Sequence, residues 1–188
     1  CQALLPQGAL AGKRIGVFEH STVARDTLGD VLRHFGAETV SLGRLDHFVP
    51  VDTEAFGDGV FAPLAGWVRQ HKLDAVVSAD GDGDRPLMMD GDAKFVRGDV
   101  LGLLAARYLR ATTVVTPVTS NSAIERTGFF ADVKRTRVGS PYVIEAMQAS
   151  TGSVVGFEAN GGPFVGTGIE ANGAELAPFE TRDAILPL

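Results

Sequence analysis

Cysteine is almost absent from this chain: Cys1 is the only one. A single thiol closes no internal disulfide and builds no cysteine-based zinc site, which suits a cytoplasmic protein. Long apolar runs are missing too. A bilayer crossing needs about 18 apolar residues. The nearest approach, LGLLAARYL (101–109), is broken by Arg107, so no membrane partner is expected. No signal-peptide pattern opens the chain, and its first residues, CQALLPQGALAG, read as the end of a linker. Basic charge is also in deficit. Seventeen Lys and Arg against 23 Asp and Glu leave a net charge of −6, which argues against a general nucleic-acid binder. That balance does not exclude a small phosphorylated ligand held by local arginines. His34, His47 and His71 show no metal-ligand spacing, and the aromatic and methionine residues read as core.

What is present is an apolar fraction of 45% in 188 residues, enough for one large domain or two small ones. RIGVF (14–18), ETVSL (38–42) and DAVVSA (74–79) read as strands. Between them lie a helix carrying Leu28, Val31, Leu32 and Phe35, with Ser21 or Thr22 as N-cap, and a second near 62–72 carrying Leu64, Trp67 and Val68. LMMDGDAKFV (87–96) reads as a hairpin turning at Asp90–Gly91. Asp99 then caps a helix whose stripe is Leu101, Leu104, Ala105 and Tyr108. TTVVTPV (112–118), ADVKRT (131–136) and SVVGF (153–157) are further strands. A short helix capped by Ser120 or Asn121, and another capped by Ser140 and opened by Pro141, separate them. Thr181 or Asp183 is placed to cap one more helix. The alternation predicts an α/β fold of two consecutive domains, 1–97 and 98–188, each a mostly parallel, mixed sheet covered by helices.

Three segments follow strands, where open α/β sheets bind ligands, and their residue types are not those of packing. The first is SADGDGDRP (78–86). In an extended strand Asp80, Asp82 and Asp84 would share a face about 7 Å apart, repelling one another. Gly81 and Gly83 permit a tight curl that brings the three carboxylates onto one hard cation such as Mg²⁺. Arg85 offers compensating charge, or a fork for a phosphate. A solvated acidic turn is the competing reading, and strict alternation behind an apolar strand speaks against it. An EF-hand fails, because Arg85 and Gly91 stand where Gly and Glu are needed. A haloacid-dehalogenase-like phosphatase with Asp80 as nucleophile is a further alternative, although Asp84 stands where Thr or Val is usual there.

The second segment is VKRTRVGS (133–140). Lys134, Arg135 and Arg137 form the densest basic patch, ahead of Gly139 and a helix start. It reads equally as an anion site or as a solvated strand end. The third is GFEANGG (156–162), in which Glu158 and Asn160 suit sugar hydroxyls and the glycines let a ligand approach the backbone; Asn-Gly is also a common turn. GTGIEA (166–171) mimics a dinucleotide loop, but Asn172, Gly173 and Pro178 deny it the helix it needs. Glu19–His20–Ser21 follows a strand, where a ligand role is open to it, but it reads more simply as a cap and a surface histidine.

Taken together the segments resemble the α-D-phosphohexomutase family, which includes phosphomannomutases and phosphoglucomutases. DGDGDR (80–85) is similar to that family's D-G-D-x-D-R metal loop. Thr136 to Gly139 resembles its T-x-x-G sugar loop. Glu158, Asn160 and Gly161 resemble its E-x-(S/N)-G loop. HSTVARD and FVPVDTEA look like the bacterial phosphomannomutase branch, while EANG is also similar to acetylglucosamine-phosphate mutases. The resemblance implies Mg²⁺ on Asp80, Asp82 and Asp84, with Arg85 supporting a phosphoserine region. It places sugar contacts at Thr136, Gly139, Ser140, Glu158, Asn160 and Gly161. The implied substrates are mannose or glucose phosphate and a hexose bisphosphate.

The sequence departs from the family in Gly162, where a histidine is common, and in Ser140, where a larger residue is common. A T-x-S-H-N-P-type serine loop and an R-x-S-x-T-E-P-type phosphate loop do not occur. The resemblance therefore covers domain 2 and most of domain 3 of a four-domain chain, which implies domains 1 and 4 as partners and no turnover by these residues alone. A non-catalytic Mg²⁺- or sugar-phosphate-binding module is the remaining alternative.

Overall fold

Short apolar runs bounded by turn residues become the strands. The computed structural model describes residues 4–55, 59–171 and 173–188, so Cys1 and Asn172 lie outside the described residues. The chain divides into two units, Cys1–Val96 with Leu188, and Arg97–Pro187.

The first unit runs β1 (Arg14–Phe18), α1 (Arg25–His34), β2 (Glu38–Leu42), α2 (Leu64–His71), β3 (Ala75–Ala79), β4 (Pro86–Asp90) and β5 (Phe95–Val96). Its sheet has the order β2-β1-β3-β4-β5. β1 is parallel to β2 and β3, while β4 and β5 run antiparallel. β3 is central and buried along its whole length, as a strand covered on both faces must be. Phe18, Leu64, Val68, Val76, Leu87 and Met89 pack the core beside it.

Two local expectations are corrected in this unit. α1 starts at Arg25 behind Ala24, with no side-chain cap. The Ser21 hydroxyl bonds Val49 instead, and Thr22 Oγ1 accepts the N–H of Ala24 in a local turn. The hairpin turn is also wider than Asp90–Gly91. Asp90 Oδ1 accepts the N–H groups of Asp92 and Lys94 at 3.0 and 2.8 Å, so one carboxylate organises the whole loop.

The second unit runs α3 (Gly98–Tyr108), β6 (Thr113–Pro117), α4 (Ala123–Arg126), β7 (Asp132–Thr136), α5 (Ser140–Gln148), β8 (Val154–Phe157) and β9 (Pro163–Val165). A small hairpin, β10 (Glu170–Ala171) and β11 (Ala174–Glu175), follows. The main sheet has the order β7-β6-β8-β9, parallel except for β9. Val115, Val143, Met147, Val154 and Phe164 form a core cluster.

α3 is rotated from the expected stripe. Leu101 and Ala105 are buried as expected, but Leu104 and Tyr108 are 48% and 53% exposed, and Leu103 and Ala106 are buried instead. Asp99 is not its cap. It sits in the first turn, fully buried, ion-paired to Arg97 and accepting the Asn121 N–H. α4 has Ser122 at its N-cap, and Asn121 Oδ1 accepts the Ala123 N–H. Ser120 spends its hydroxyl on Thr116. Asp183 closes a turn by accepting the N–H groups of Ile185 and Leu186, with no helix after it. Among the described residues no helix is long and apolar enough to cross a membrane.

Candidate functional site

In the first unit the site grows from the carboxyl end of β3. The loop after Ala79 folds back on itself: the Asp80 N–H donates to Arg85 O at 3.1 Å, and the Gly83 N–H donates to Asp80 O at 3.2 Å. Asp80 Oδ1 accepts the N–H groups of Asp84 and Arg85, both at 3.1 Å. Gly83 takes φ +80°, which L side chains rarely adopt. The curl draws one carboxylate oxygen from each of Asp80, Asp82 and Asp84 to within 4.8 Å of one another, well inside strand spacing.

Asp80 is buried, Asp84 half-buried and Asp82 exposed. Burial pushes the Asp80 carboxyl above its ordinary range, and the charges of Asp82 and Asp84 push the same way, against the favourable N–H of Arg85. Arg85 Nε lies 3.4 Å from Asp80 Oδ2 and 3.7 Å from Asp84 Oδ1. One guanidinium against three carboxylates leaves the cluster short of positive charge. A set of convergent hard oxygen donors fits a divalent cation.

The parallel strands of the second unit all end at one edge, so the loops after β7 and β8 emerge side by side around β6. Gly139 is the N-cap of α5 at φ +127°. Ser140, expected as the cap, is instead the first helical residue. Its hydroxyl donates to Glu158 Oε2 at 2.9 Å, which ties the second sequence segment to the third. Arg182 Nη1 donates to the same oxygen at 3.3 Å. Thr136 donates to Arg137 O. Asn160 is buried, and its Oδ1 accepts the Gly162 N–H at 3.3 Å, so the amide also shapes its own loop. Gly161 holds φ +88° and packs against the backbone of Gly98 at the start of α3.

The basic patch does not form an open anion site. Arg135 forks onto both oxygens of Glu125 at 2.7 Å and donates to the carbonyls of Pro117, Ser120 and Asn121. Lys134 donates to Ser150 Oγ, and Arg137 lies over the Tyr142 ring.

Three participants escaped the sequence reading. Arg182 lies 24 residues beyond Glu158, and no local pattern marks it. Gly98 reads as an ordinary helix opener. His20 is fully buried rather than a surface residue: its Nε2 lies 2.8 Å from Ala79 O, just ahead of the acidic loop.

Residues 97–188 match the family described as phosphoglucomutase/phosphomannomutase, alpha/beta/alpha domain III. A phosphomannomutase of Sinorhizobium fredii is 47% identical over 191 aligned residues, covering 100% of this chain and 40% of the relative. A phosphomannomutase of Salmonella muenchen is 45% identical, covering 98% of this chain and 39% of the relative. The chain thus spans about 40% of the length of these relatives. A phosphoglucomutase/phosphomannomutase family protein from Burkholderia thailandensis superposes with a TM-score of 0.74 at 15% identity, over 93% of this chain and 38% of its own. At that identity the likeness speaks for the fold.

Proposed function

The chain belongs to the phosphoglucomutase/phosphomannomutase family, and on that premise we propose that it is the metal- and sugar-phosphate-binding core of a phosphohexomutase. Residues 1–97 are read as domain 2 and residues 98–188 as domain 3. The substrate class is a hexose 1-phosphate or 6-phosphate, of mannose or glucose. The reaction moves a phosphoryl group from a phosphoserine to a sugar hydroxyl, giving a hexose bisphosphate whose other phosphoryl then returns to the serine.

The observation that carries this reading is the convergence of three carboxylate oxygens within 4.8 Å on one curled loop. Asp80, Asp82 and Asp84 would hold Mg²⁺, which when bound stabilises the charge on a transferring phosphoryl group. Arg85 limits the repulsion among its own aspartates and adds positive charge beside an incoming phosphate. Ser140 and Arg182 orient the Glu158 carboxylate toward sugar hydroxyls. Asn160 and Gly161 hold the loop on which Glu158 sits, and Thr136 and Gly139 shape the neighbouring one. An Asp80 nucleophile is disfavoured, because its Oδ1 accepts two backbone N–H groups and its Oδ2 faces Arg85.

The test is turnover. The 188 residues alone are expected to convert no mannose 1-phosphate to mannose 6-phosphate, since no serine or phosphate loop of the family's type occurs among them. Joined to domains that carry those two loops, they are expected to turn over in Mg²⁺. Turnover by the 188-residue chain overturns the need for those two loops, and none by the joined chain overturns the assignment.

A further inference from the structure

The acidic loop is held from behind by residues 19–24, which the mutase reading does not use. β1 pairs with β3 only as far as Val17 and Val77, so Ala79 lies past the end of that ladder. Along β3 the hydrogen-bonding direction alternates. Asp80 bonds Arg85 on the β4 side, which turns the carbonyl of Ala79 toward the chain leaving β1. There His20 meets it, with Nε2 at 2.8 Å. The Ser78 hydroxyl adds a longer contact at 3.3 Å. A carbonyl only accepts, so Nε2 carries the proton, and burial, which lowers the pKa of the ring, favours the neutral form with Nδ1 bare.

His20 is held there at a cost. Nδ1 is buried with no hydrogen-bond partner among the described residues, and the backbone sits at φ +20°, uncommon for a residue with a Cβ. A leucine would fill the space without stranding a ring nitrogen. What leucine lacks is a donor aimed at Ala79 O. The same segment grips the loop twice more. The Val23 N–H donates to Gly81 O at 3.1 Å, and Gly83 lies so close to Val23 and Ala24 that a Cβ would come within 3.2 Å of both. Ser21 anchors the segment in turn, its hydroxyl bonding the N–H and the carbonyl of Val49.

We propose that His20 is a positioning residue for the acidic loop: its Nε2–H fixes the carbonyl of Ala79 and thereby the direction from which Asp80, Asp82 and Asp84 converge. What this says about cation affinity rests on the reading of the loop as a Mg²⁺ site; what it says about loop geometry does not.

The experiment compares wild type, His20→Phe and His20→Gln in the 188-residue chain by NMR. Phenylalanine keeps a ring against Phe18, whose centroid lies 4.9 Å from that of His20, but has no donor. Glutamine returns an N–H at about the reach of Nε2. In metal-free protein, the Gly83, Asp84 and Arg85 amides, all bonded to Asp80, are expected to exchange about tenfold faster in His20→Phe. They should exchange at the wild-type rate in His20→Gln, with Val76 and Val77 unchanged in both. Mg²⁺ affinity is expected to fall about tenfold in His20→Phe, as for other outer-shell partners of metal ligands, and to recover in His20→Gln. If His20→Phe does not fold, His20→Asn, too short to reach Ala79 O, takes its place. Unchanged exchange overturns the proposal, as does uniform acceleration across β1 and β3, which would mark a general packing role. If wild type binds no Mg²⁺, the metal reading fails, and the three amides still decide the role of His20.

Discussion

Asp80→Asn is expected to weaken Mg²⁺ binding at least a hundredfold while leaving the metal-free fold as stable as before, or more so. Both halves follow from the loop. The cation loses a charged oxygen donor where three carboxylates converge within 4.8 Å, and hard divalent ions depend on such donors. The fold loses little, because asparagine keeps an oxygen at Oδ1 to accept the N–H groups of Asp84 and Arg85, and the ion pair it gives up with Arg85 is a long one, 3.4 Å. It also removes a charge that burial and the neighbouring aspartates disfavour.

The sign of the pH dependence follows from the same cause. The Asp80 carboxyl titrates higher in the folded chain than its ordinary value of 3.8. A group raised in this way adds stability below its unfolded pKa and loses that contribution as pH rises through its folded pKa. Without metal, wild type should therefore lose stability relative to D80N as pH rises from about 4 to 7, and saturating Mg²⁺ should reverse the ranking. Calorimetric Mg²⁺ titration and thermal unfolding in chelator at the two pH values check both halves. Equal Mg²⁺ affinity in the two proteins would show that Asp80 is no ligand.

Gly98→Ala is the second large effect. A Cβ on Gly98 would run into the backbone of Ala159 and Asn160, and one on Gly161 would run into the backbone of Gly98. Backbone against backbone has no rotamer to escape through, so the helix start or the loop must move. A cost of about 2–4 kcal/mol is expected, lowering the unfolding midpoint by about 5–12 °C. The loop carrying Glu158 would be displaced along with it. Gly66 in α2 is the control: nothing lies within 4 Å of a Cβ there, and Gly66→Ala should hold or raise the midpoint through helix propensity. Thermal unfolding separates the two glycines. A Gly98→Ala midpoint equal to wild type would mean that the loop does not rest on Gly98.

What the sequence revealed and what it hid divide along a physical line. Most strands were legible because they are short apolar runs between breakers, and β3 is buried along its whole length; β9, β10 and β11, only two or three residues each, are too short to leave such a pattern. The acidic triad was legible because its information is local: alternate aspartates with glycines between them can only spread along a strand or curl. Helix caps were misread for the opposite reason. Ser21, Asp99 and Ser140 all look like caps by their neighbours, yet each spends its side chain on a partner far along the chain: Val49, Asn121 and Glu158 respectively. His20 reads as a surface residue for the same reason: its partner, Ala79, is 59 residues away. The face of α3 was misjudged because Leu104 and Leu103 are equally apolar, and only the packed sheet selects between them.

The most direct test of the whole account is a Mg²⁺ titration of the ¹⁵N-labelled chain. Saturable shifts are expected, concentrated on the amides of Gly81 to Arg85, absent in Asp80→Asn and small elsewhere in the sheet. Resonances of that loop that stay in place at millimolar Mg²⁺, with the remainder of the sheet folded, would contradict it.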